Sequence, residues 1–72
     1  MTDWNNLLST KKSAQVVTKF AQGKMSGKQF YQHFSNTVNG GIVRNLLRVY
    51  GVVYSRRLAR KALGRRGISS LV

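Results

Sequence analysis

The chain has 72 residues, no Cys and no Pro, and it sets 13 Lys and Arg against a single acidic residue, Asp3, for a formal net charge of +12. That length holds one small domain with a lean core, and the composition excludes disulfide staples and the usual structural metal sites. Paired acid and base catalysis is excluded too, because the one carboxylate side chain and the one imidazole, Asp3 and His33, stand far apart in the chain and have no partners. The expectation is a protein that is not an enzyme and uses no cofactor, metal or small-molecule substrate.

Apolar residues recur at helical spacing and strand-like alternation is weak, which predicts an all-α chain. The expected architecture is one domain over 1–72: a small helical hairpin of two short helices within 1–40, a long or broken basic amphipathic helix over 41–64, and a flexible tail over 65–72. The first helix begins after a cap at Thr2 or Asp3, or restarts at Ser9, and runs to about Gln22 with Val16, Val17, Phe20 and Ala21 on one side. Trp4, Leu7 and Leu8 form either its first turn or a separate anchoring turn. Gly23 suits the left-handed position that ends a helix, and Ser26 suits the next N-cap. Gln29 follows Ser26 at the spacing of a capping box. The second helix then runs to about Val38, with Phe30, Tyr31, Phe34 and Val38 on one stripe, and Asn39-Gly40-Gly41 ends it.

The stretch Phe20-Ala-Gln-Gly23-Lys-Met25-Ser26-Gly-Lys-Gln29-Phe30 resembles the tight helical hairpin of short bacterial oligomerisation modules of the SHOCT type. Those modules usually carry Glu where this chain has Lys28 and Gln29, so the resemblance implies no function here. Two helices joined by a short Gly-containing turn also meet the local requirement of a helix-turn-helix. An ordinary hairpin that packs its Phe side chains into a small core is the expected form.

In the third helix, Ile42, Val43, Leu46, Leu47, Val49, Tyr50, Val53 and Tyr54 fall on a continuous arc of roughly 160°, opposite Arg44, Arg48, Gly51 and Ser55. After Ser55 the pattern inverts: Arg56, Arg57, Arg60 and Lys61 take the direction that was apolar, and Leu58, Ala59, Ala62 and Leu63 take the other. A straight helix cannot bury one face throughout. Either the chain breaks near Ser55 and returns Leu58, Ala62 and Leu63 to the core, or a long helix extends past the body as a basic arm. The apolar arc is wider than two short helices can cover, which predicts a homo-oligomer formed through Ile42, Leu46, Val49, Tyr50 and Val53.

All seven Arg lie from Arg44 onward, and the planar guanidinium pairs two N–H groups with one phosphate. So lopsided a charge opposes compaction and points to a polyanionic partner. The expected function is sequence-independent binding of nucleic acid, DNA or RNA, in a packaging, nucleoid, virion or ribonucleoprotein role, with Arg44, Arg48, Arg56, Arg57, Arg60, Lys61, Arg65 and Arg66 on phosphates. Base reading is not expected, because the polar helix faces are sparse. Tyr50 and Tyr54, at helical spacing beside Val and Leu, are expected in the core rather than on unpaired bases.

Two alternatives remain open. A cationic amphipathic helix can lie in an anionic lipid interface, and Gly40-Gly41 matches the last residues of a double-glycine leader, although such leaders are normally acidic and residues 1–39 are not. The chain is alternatively a basic module that docks on an acidic protein. No run approaches the roughly 18 apolar residues of a membrane span, and the N-terminus lacks a secretory pattern. The expected location is therefore the cytoplasm or a virion.

Overall fold

Asp3 is the first residue the structure fixes, and its carboxylate accepts the Asn6 N–H at 3.2 Å to cap a single helical turn, α1 (Trp4–Leu7). The structure, a computed structural model, describes residues 3–66, with side chains described as far as residue 64. It is all-α, with no strand among the described residues. α1 is the separate anchoring turn: Leu7 and Leu8 are buried, and Trp4 packs half-buried against them and the rest of the core. The alternative cap, Thr2, lies outside the described residues.

α2 (Lys11–Ala21) starts one residue later than the Ser9 restart would place it, because Thr10 has the better partner. The Thr10 Oγ1 accepts the Ser13 N–H at 3.1 Å, and the Thr10 N–H donates back to Ser13 Oγ at 3.3 Å. Ala14, Val17, Ala21 and the whole of Phe20 line its buried face. The helix ends at Gly23, whose φ of 79° allows the chain to fold back on the last turn. There the Gly23 N–H donates to the Phe20 carbonyl at 3.1 Å and the Lys24 N–H to the Lys19 carbonyl at 2.9 Å, the paired bonds of a Schellman ending.

α3 (Gly27–Phe34) has the expected cap: Ser26 Oγ accepts the Gln29 N–H, and Gln29 Oε1 accepts the Ser26 N–H, both at 3.1 Å. Phe30 stacks flat on Phe20 with ring centroids 4.1 Å apart, and Phe34 meets Phe30 edge-on at 5.5 Å. Each fully buried Phe contributes about 1.5–3 kcal/mol of apolar transfer, so this aromatic row fixes α3 on α2. The helix stops at Phe34, short of the expected Val38, and Val38 is 90% exposed instead of continuing the Phe stripe.

The residues expected to end that helix begin the next one. α4 (Asn39–Arg66) starts at Asn39-Gly40-Gly41 because the chain there crosses close over the end of α3. A Cβ on Gly40 would lie 2.6 Å from the Phe34 carbonyl oxygen, so only glycine fits.

α4 is two helical limbs, residues 39–50 and 52–66, joined at Gly51, whose φ of 76° and ψ of 172° are not helical. This is the first of the two alternatives, a break that returns Leu58, Ala62 and Leu63 to the core, corrected in position: the chain breaks at Gly51 rather than near Ser55. The reason is that the conformation is open to glycine alone, and Gly51 supplies it one turn before the pattern inverts. The break resolves the inversion. Val43 and Leu46 from the first limb and Ser55, Ala59 and Ala62 from the second are all buried in one core, with Leu58 and Leu63 packed against it. Ser55 is fully buried, and its hydroxyl donates to the Gly51 carbonyl while lying 3.3 Å from the Leu46 carbonyl across the break. The second limb continues helical past Gly64 to Arg66, into the expected tail; the rest of that tail lies outside the described residues.

Candidate nucleic-acid interface

The basic residues of α4 separate into two groups according to which limb face they occupy. On the first limb, Gly41, Arg44, Asn45 and Arg48 fall at helical spacing and line one shallow polar groove, open to solvent. On the second limb, Arg57 and Lys61 are exposed one turn apart. All four cations have their side chains in solvent, and no ion pair to a carboxylate side chain can occupy them, since Asp3 is the only one and caps α1.

Arg56 and Arg60 belong to the other group. Arg56 Nε donates to the Phe20 carbonyl at 3.1 Å, one of its terminal nitrogens donates to the Met25 carbonyl at 2.9 Å, and the guanidinium stands 5.1 Å from the Phe20 ring centroid. Arg60 Nε donates to the Ala21 carbonyl at 2.8 Å. The Phe20 and Ala21 carbonyls lie in the last turn of α2, at the negative end of its dipole, Phe20's also accepting the Gly23 N–H, and the Met25 carbonyl lies in the turn that leads to α3. These two of the eight side chains expected on phosphates are therefore engaged at the end of α2, and the described residues form no projecting basic arm. Arg60 stays exposed and keeps its terminal N–H groups for solvent. The side chains of Arg65 and Arg66 lie outside the described residues.

The expected self-association set also divides. Leu46 is 1% exposed and Ile42 packs half-buried on the core, so these two serve the chain itself. Val49, Tyr50 and Val53 are exposed, together with Val52 and Tyr54. This corrects the expectation of a core role for the tyrosines: Tyr50 is 40% and Tyr54 50% exposed. The Gly51 break ends the arc: beyond it the second limb buries Ser55, Ala59 and Ala62 and leaves Tyr54 outside, and Tyr50 sits at the last position of the first limb. Sequence reasoning had Val49, Tyr50 and Val53 on an uncovered apolar face but misplaced the break that bounds it, for which the available signal was the glycine inside an apolar run.

Residues 22–26 between α2 and α3 exceed the roughly three or four residues of a helix-turn-helix turn, and the pair packs as a hairpin about its Phe row. A further cleft is lined by Lys12, Ser13, His33, Thr37 and Asn39 among others, but its Thr10, Ser13 and Thr37 hydroxyls already bond within the chain. Among the described residues no group of three or more His, Cys, Asp or Glu could hold a metal ion. No described helix is long and apolar enough to cross a membrane. The fold and its exposed cations define a basic all-α protein with a kinked last helix. No family model, curated protein or solved structure matches the chain, the hairpin module named above included.

Proposed function

We propose that the protein binds nucleic acid through its phosphate backbone, without strong sequence preference, in a packaging, nucleoid, virion or ribonucleoprotein role. The observation that carries this reading is the uncompensated charge. Arg56 and Arg60 are satisfied by backbone dipoles, which leave the net charge unchanged, and the one carboxylate side chain is spent on a cap. Arg44, Arg48, Arg57 and Lys61 stand exposed with no carboxylate side chain left to pair with them. A phosphate lattice supplies the missing anions, and the release of its counterions drives association.

The test is fluorescence anisotropy of a labelled duplex titrated with the full chain at several salt concentrations. With six to eight phosphates contacted, log affinity falls against log salt with a slope on the order of −5 to −7. Binding that is absent at low salt, or indifferent to salt, overturns the reading. Membrane action is the second reading, favoured by the exposed patch around Gly51; salt-resistant binding to anionic vesicles with dye leakage would select it.

A further inference from the structure

We propose that the break at Gly51 is a site for unpaired bases, with the rings of Tyr50 and Tyr54 as stacking surfaces and Arg57 as the adjoining phosphate contact. The inference rests on the nucleic-acid reading above and narrows it to single-stranded polynucleotide at this position.

Tyr50, Gly51, Val52, Val53, Tyr54 and Arg57 line one shallow depression on the surface. The two rings lie 5.4 Å apart at 53° to one another, so neither covers the face of the other, and both side chains are substantially exposed. Gly51 keeps the space beside them clear, since nothing lies within 4 Å of where its Cβ would stand. A base entering here meets an aromatic face, valine methyl groups and a cation, the combination that single-strand sites use to stack bases while holding the backbone. Duplex DNA does not fit the same surface, because its base faces are occupied by stacking neighbours and its exterior offers phosphate where the patch offers Tyr and Val.

Two other occupants fit less well. A second copy of the chain would set Arg57 and the neighbouring Arg48 against like charges, each copy having 13 Lys and Arg against one Asp for a net +12. An interfacial lipid helix needs an apolar stripe along its length. Here the exposed apolar side chains of α4 are confined to residues 49–54, while Val43, Leu46, Ala59 and Ala62 face inward.

The experiment compares the full chain with the double variants Tyr50→Leu/Tyr54→Leu and Tyr50→Phe/Tyr54→Phe, using labelled oligo(dT), a labelled duplex and phosphatidylglycerol vesicles. Circular dichroism checks folding, which exposed positions leave intact. Loss of each ring weakens oligo(dT) binding about tenfold, and the Phe variant, which keeps both rings, binds as the parent does. Duplex affinity stays within about twofold in all three, because phosphate contacts dominate there. Equal losses on oligo(dT) and duplex, or no loss on oligo(dT), overturn the site while leaving general nucleic-acid binding intact. If the parent binds neither polynucleotide, the underlying reading fails as well. Tight vesicle binding without oligo(dT) binding, or a dimer in sedimentation that Val53→Lys dissociates, assigns the patch to lipid or to a second copy and overturns the proposal.

Discussion

Arg56 closes the end of α2 by donating from Nε to the Phe20 carbonyl at 3.1 Å while its guanidinium stands 5.1 Å from the centre of the Phe20 ring. One side chain thus ties the second limb of α4 to the C-terminus of α2 and to the aromatic row. Arg56→Met keeps the length and apolar stem but removes the donors. A charged hydrogen bond of this kind is worth about 1.5–3 kcal/mol, which for a domain of this size corresponds to a fall in Tm of about 10 °C. Arg56→Lys keeps the charge without the fork and falls between. Thermal unfolding followed by circular dichroism checks both, and an unchanged Tm in the Met variant would show the contact to be energetically idle.

Adjacent glycines at the start of α4 respond in opposite directions. Gly40→Ala forces a methyl to within 2.6 Å of the Phe34 carbonyl oxygen and 3.2 Å of Ser35 Cα, both backbone. Neither neighbour can rotate away, and the expected loss is about 1–3 kcal/mol or more. Gly41→Ala meets nothing within 4 Å and lies in a helix. It raises stability by about 0.5–1 kcal/mol through helix propensity. Urea denaturation of the two single variants measures the contrast, and equal signs would refute the crossing geometry.

Gly51→Ala tests the break. The added methyl has open space, so the cost is conformational alone: the residue would sit in a region that L side chains rarely adopt, at about 1–3 kcal/mol. The chain can escape that cost only by straightening, which pulls Ser55 and Ala59 from the core. Reduced stability, or a rise in helix signal with loss of cooperative unfolding, is the expected outcome; a variant as stable and cooperative as the parent would count against a glycine-dependent kink.

Arg44→Gln/Arg48→Gln removes two exposed cations that hold nothing else in the described structure. Stability should change by less than about 0.5 kcal/mol. The slope of log affinity against log salt on duplex DNA should become shallower by about 2. Arg56→Met alone, by contrast, should alter stability more than that slope. If the pattern is reversed, the assignment of roles among the arginines is wrong.

Local signals were legible because they depend on neighbours within a few residues. Ser26 with Gln29, the left-handed turn at Gly23, and the Phe30 and Phe34 part of the α3 stripe needed only spacing. Val38 was misplaced because periodicity continues past a helix end when nothing nearby stops it, and here the stop is the crossing of Gly40 over Phe34. The inversion after Ser55 announced that a break was required, yet its location depended on which residue can adopt φ near 76°, a property hidden inside an apolar run. The arginines were legible as charge but not as individuals, since the carbonyls in the last turn of α2, at the negative end of its dipole, attract whichever guanidinium the fold brings near.

The sequence by itself determined the all-α class, the hairpin and the uncompensated positive charge, since propensity, capping and net charge are properties of local composition. Only the tertiary structure decided that Arg56 and Arg60 serve α2, that Leu46 is core, and that Tyr50 and Tyr54 are surface. The physical reason is that one glycine rotation at residue 51 reassigns every face beyond it, and a rotation between packed limbs is fixed by contacts distant in the chain.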